Sequence, residues 1–98
     1  MTETSIVDLS AAVTRLHRGH SRHVQTVQVG PQPGASAEWD GTVHVFAIDH
    51  PKAARAYAWS HVVDKKTQRR RCQAILGMSP INSPVDAVRA AIASGEHR

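Results

Sequence analysis

Seven histidines stand among 98 residues, and His17, His20 and His23 follow one another at three-residue steps, a spacing at which imidazoles on one helix can share a divalent metal ion. Gly19 falls between the first two and is a helix-stopping residue, so the spacing predicts a solvated, basic helix exit and not a ligand set. The one thiol, Cys72, has an alternation that turns it toward the helix-facing side of a strand, where an inert buried cysteine is the ordinary role. Glu38 and Asp40 are the closest acids and fit a solvated turn. Gly30-Pro31-Gln32-Pro33-Gly34 has neither the lysine nor the spacing of a phosphate loop, and its prolines remove the N–H donors such a loop uses. No catalytic residue, no metal ligand and no cofactor is expected, and the chain reads as a non-enzyme.

A second group of residues suits binding. Lys65, Lys66, Arg69, Arg70 and Arg71 lie within seven positions, while Tyr57, Trp59 and His61 alternate just before them. Together they describe a nucleic-acid surface in which Tyr57 and Trp59 stack bases, worth ~1–3 kcal/mol each, and the cations meet phosphates. The same basic run also suits a solvated turn that keeps the chain soluble. Tyr57, Trp59, His61, Lys65, Lys66, Arg69 and Arg71 are the candidate binding residues. The charge is lopsided, with three basic against five acidic residues up to position 49 and nine against three beyond it, for a net +4.

Six elements must position these groups. Ile6, Leu9, Val13 and Leu16 recur at helical steps and predict a helix from Ile6 to about Arg18, capped by Ser5, aided by Asp8 and stopped by Gly19. Val24–Val29 predicts a strand ending in the proline-glycine loop, and Trp39–Ile48 a second one broken by Asp49-His50-Pro51. Arg55–Val63 and Arg69–Leu76, joined by Asp64-Lys65-Lys66-Thr67-Gln68, predict a hairpin with a basic tip. Ser83 caps a last helix from Pro84 to about Ser94, with Asp86 in its first turn, Val85, Val88, Ala91 and Ile92 as its stripe, and Gly95 as terminator. The expected architecture is α+β, a four-stranded antiparallel sheet with helices packed on one face, in the order α-β-β-β-β-α and in a single domain over residues 1–98.

Parity divides the sheet. Ala56, Ala58, Val62, Cys72, Ala74 and Leu76 form a small-residue face on which both helices could seat closely, leaving Tyr57, Trp59, His61, Arg69, Arg71 and Gln73 on an open face. On the second strand His44 and Phe46 would then look outward, and Val43, Val45 and Ala47 inward. The alternative makes the aromatics the core, and a bulge at Gly41 would exchange the faces of the second strand.

The element order resembles the double-stranded-RNA-binding domain, whose two helices share one face of a three-stranded sheet. Its phosphate-clamping lysines have no counterpart in Ser83-Pro84-Val85-Asp86-Ala87-Val88, so no site residue is carried over. More locally, Trp39-x-Gly41-x-Val43-x-Val45-Phe46, His50-Pro51-Lys52-Ala53 and Ala56-Tyr57-Ala58-Trp59-Ser60 look like a small family of bacterial proteins without an assigned activity, over residues 24 to 94. That resemblance implies a shared fold and no chemistry.

Apolar residues at 41% and charged residues at 20% match folded globular chains. A single cysteine excludes an intrachain disulfide and suits the cytoplasm. Met1-Thr2-Glu3-Thr4 opens no secretory leader, and no apolar run approaches the ~20 residues of a membrane span, so no membrane partner is expected. The expected function is a binding or assembly module that docks a protein partner or a second copy of itself as a homo-dimer through a sheet face, with nucleic-acid binding as the alternative.

Overall fold

The computed structural model describes residues 6–30, 32–34, 39–67, 69–78 and 80–94, without the side chains of Val7, Val63 and Arg70. The expectations placed on Ser5, Glu38, Gly95 and the Arg70 side chain lie outside the described residues. The elements are α1 (Ile6–His17), β1 (Ser21–Gln28), β2 (Thr42–His50), β3 (Ala53–Asp64), β4 (Arg69–Leu76) and α2 (Pro84–Ala93). All four strands form one antiparallel sheet, as expected, and they lie in it in sequence order.

The helices do not share a face. Leu9 and Val13 of α1 pack on Phe46, Ile48, Ala56 and Ala58, whereas Ala87, Val88 and Ala91 of α2 pack with Trp39, Val43, Val45, Tyr57 and Trp59. These two sets occupy opposite parities of β3, so α1 covers the small face and α2 covers the aromatic one. The expected single-sided packing is corrected, and so is the assignment on β2. Phe46 pairs with Ala56 and lies with the alanines, while Val45 pairs with Tyr57. The physical reason is in β2 itself. Its apolar residues fill both faces, Val43 and Val45 on one and Phe46 and Ile48 on the other, and a sheet with two apolar faces requires two covers.

Register irregularities fall between His23 and Gln25, between Ala47 and His50, and between Val62 and Asp64. Gly41, at φ 85°, precedes β2 instead of bulging within it. Asp49 and His50 remain in β2, and the break is the Pro51-Lys52 turn. The chain leaves α1 through Arg18, whose amide donates to Thr14 O at 2.8 Å, and then crosses β2 at Gly19, where any Cβ would collide with the Asp49 carbonyl oxygen. At the other end Ser83 Oγ accepts from the Asp86 amide at 3.2 Å, and Asp86 Oδ2 accepts from the Asn82 amide at 3.2 Å. Local chemistry therefore starts α2 where Ser-Pro-x-Asp predicts it.

Candidate binding surface

The aromatic candidates lie inside. Trp59 and His61 are fully buried and Tyr57 is 5% exposed, all on the α2 side of β3, with Trp39 packed 6.2 Å from Trp59 between ring centroids. Burial holds the Tyr57 hydroxyl above its ordinary pKa, and Asp86 adds to that while Arg55 opposes it. These rings are core, and no base can stack on them as they stand.

The basic candidates are brought together and exposed. Asp64 Oδ1 accepts from the Lys66 amide at 3.0 Å, closing an Asx turn that holds Lys65 and Lys66 at the hairpin tip. That bond, with further help from Thr67 and Arg69, holds the Asp64 carboxyl below its ordinary pKa. Arg71 pairs in register with His61 and Arg69 with Asp64, so both arginines project toward the α2 side at the far end of the sheet. Lys65, Lys66, Arg69 and Arg71 are all exposed.

On the α1 side the sequence gives less warning of what is built. α1 buries only its middle, Leu9, Ala12 and Val13, and leaves Ile6 39% and Leu16 54% exposed at its ends. A hydroxyl knot fastens it to edge strand β1. Ser10 Oγ lies 2.7 Å from Ser21 Oγ, Thr14 Oγ1 lies 3.1 Å from it, and Ser21 Oγ donates to Ser10 O at 2.9 Å. At the far edge His17 Nε2 meets the Ala74 carbonyl at 3.1 Å, which therefore accepts from it. Between α1 and β1 runs an open groove of ≈ 820 Å³, lined by Ile6, Ser10, Ala11, Arg15, Arg22 and His23 among others. Among the described residues no carboxylate lines it.

Beyond α1 the same face turns polar. Thr26 and Gln28 are exposed, and His44, Thr42 and Val62 are half-buried. Thr42 Oγ1 donates to Gln28 Oε1 at 2.9 Å, and the Thr42 amide donates to Asp40 Oδ1 at 3.0 Å, which fastens the β1–β2 end. His23, Thr26 and His44 converge, with the Thr26 hydroxyl 3.1 Å from His23 Nε2 and 3.0 Å from His44 Nδ1. Burial and the neighbouring His23 lower the His44 pKa, against a raising influence from Asp40. Residues three apart in a strand point to opposite faces, so His23 and Thr26 meet only because the bulge at Val24 adds one residue between them. The spacing of histidines along the chain does not reveal this cluster. Its one trace in the sequence is His44, a polar residue within the apolar run Val43–Ile48.

Comparison with known proteins returns no match, whether against protein-family models, curated proteins or solved structures. Among the described residues no helix is long and apolar enough to cross a membrane.

Proposed function

We propose that this chain is a non-enzymatic protein-binding module, working in the cytoplasm, which takes an acidic, extended segment of a partner into the groove between α1 and β1. The observation that carries this reading is the groove itself. Exposed Ile6 and Ala11 offer apolar contact, Arg15 and Arg22 are among the residues that line it and bring positive charge, and β1 is an edge strand. An edge strand beside a helix is the arrangement on which a peptide adds as a further strand, with backbone hydrogen bonds giving affinity and alternate side chains entering the groove. A second copy of this chain, at net charge +4, meets those arginines with like charge and is the poorer occupant.

The test is an amide-shift titration of the labelled chain with a peptide of alternating valine and glutamate, run beside its valine-lysine counterpart. Shifts confined to α1 and Ser21–Thr26 with the acidic peptide only, weakened about tenfold by Arg15→Glu with Arg22→Glu, support the reading. Equal binding of both peptides, or shifts elsewhere, contradict it. A dimer by light scattering that Ile6→Asp abolishes would make a second copy the occupant.

The exposed Lys65, Lys66, Arg69 and Arg71 favour a second reading, phosphate binding to nucleic acid without base stacking. Arg69→Ala with Arg71→Ala should then flatten the salt dependence of oligonucleotide binding by about 0.7–0.9 log units for each phosphate no longer neutralised. Unchanged binding leaves the hairpin a solubilising turn.

A further inference from the structure

We propose that docking in the α1–β1 groove is regulated by pH, through a His23–Thr26–His44 hydrogen-bonded relay that places a further positive charge on His23, at the groove, in mildly acidic medium. The inference rests on the docking reading and adds its regulation. Of the three residues, His23 is the one that lines the groove, beside Arg15 and Arg22. Its Nε2 lies 3.1 Å from Thr26 Oγ1, which lies 3.0 Å from His44 Nδ1, and the two ring nitrogens are 3.4 Å apart. The His23 ring also packs edge-on against buried Phe46, at 5.5 Å and 72°, which holds it in line with the hydroxyl.

Proton counting gives the relay its direction. A hydroxyl has one proton, so Thr26 donates to one imidazole nitrogen and accepts from the other. With His23 charged, its Nε2–H donates to Thr26 Oγ1, and the hydroxyl in turn donates to a neutral His44 Nδ1. With His44 charged, the chain runs the other way. Charging both rings would set two cations against each other across 3.4 Å, so the pair takes up one proton well before a second. His44 lies on an inner strand, between β1 and β3, where burial and then the nearness of His23 disfavour its charged form, against a raising influence from Asp40. The first proton therefore goes to His23, the ring at the groove. Arg15 of α1 and Arg22 of β1 are the charged groups that share the groove with it, while Phe46 of β2 and Ala58, which pairs with His44 from β3, do not titrate. His17 of α1 is engaged elsewhere, at the Ala74 carbonyl. A carboxylate brought into the groove is attracted by the charge on His23, so docking and proton uptake favour each other.

The experiment is a calorimetric titration of the full chain with the valine-glutamate peptide at pH 7.5 and 5.5, on either side of the ordinary imidazole value of about 6.5 and above the glutamate value of about 4.3. Affinity should be roughly three- to tenfold higher at the lower pH, the effect of one added charge at a solvated surface, with net proton uptake on binding. His23→Gln should bind with the same affinity at both pH values, whereas His20→Gln and His50→Gln should keep the rise. Circular dichroism checks that each variant folds. Ring-nitrogen spectra of the free chain should show His23 charging while His44 is still neutral. Equal wild-type affinity at the two pH values, a rise that survives in His23→Gln, or charging of His44 first would overturn the regulation and leave the docking reading standing. Absence of peptide binding at either pH would remove the docking reading, and this one with it.

Discussion

The two sides of this sheet are made of different material. Under α2, Trp39, Val43, Val45, Tyr57 and Trp59 are shut beneath Ala87, Val88 and Ala91, so large flat side chains meet a helix whose contact stripe is small. Under α1 the sizes are reversed, with Leu9 and Val13 pressing on Ala56 and Ala58, and hydroxyls and imidazoles take over where the helix stops. One side supplies stability and the other supplies surface. A helix that approaches an alanine floor closely seats itself through its middle turns, and its ends then overhang, which is why Ile6 and Leu16 stay exposed.

The comparison can be broken first at its largest member. Trp59→Ala, by emptying the closed side, should destabilise the fold by ~3–5 kcal/mol in a denaturant titration. Leu9→Ala, the anchor of the other side, should cost ~2–5 kcal/mol and fall in the lower part of that range, because alanine neighbours allow the helix to settle. Ser21→Ala removes the centre of the hydroxyl knot and should cost about 1 kcal/mol, read in the same way.

A pH series sharpens the contrast. Burial, and then the neighbouring His23, lower the His44 pKa in the fold, so the unfolded chain takes up the proton first as pH falls through the ordinary value of 6.5. Its contribution is fully present above that pH and is lost progressively below it. His44→Gln should flatten the decline, whereas no such change is expected from a Tyr57→Phe variant over the same range. Smallest of all, Leu16→Ser should stay within about ±0.5 kcal/mol, since that side chain is more than half exposed.

How much of this was legible depends on the element. The β3–β4 hairpin reads directly from alternation and from Asp64 at its turn, and α2 reads from Ser83-Pro84-x-Asp86, because in both cases the decisive interactions are local. Alternation also sorts correctly which residues of β3 share a face. It cannot say which helix covers which face, because that is decided by long-range packing and by how each connection leaves the sheet. A clue was nonetheless present in Val43-His44-Val45-Phe46-Ala47-Ile48, a run apolar on both parities, which signals a strand buried on both sides. The basic half of the candidate site was legible as a charge run with a turn in it. The aromatic half was misplaced with its face, and the His23–Thr26–His44 cluster was hidden because a bulge shifts the phase of β1 between two of its members.

The central claim, a closed α2 side and an open α1 side, is tested most directly by the relaxation of methyl protons in the presence of a soluble gadolinium chelate. A single experiment reports side-chain access on both sides at once, at a concentration where light scattering shows a monomer. The methyls of Val43, Val88, Leu9 and Val13 should be protected, and those of Ile6, Leu16 and Val24 should relax strongly, in keeping with their burial and exposure. Protection of Ile6 and Leu16 equal to that of Leu9, or strong relaxation at Val43 and Val88, would contradict it.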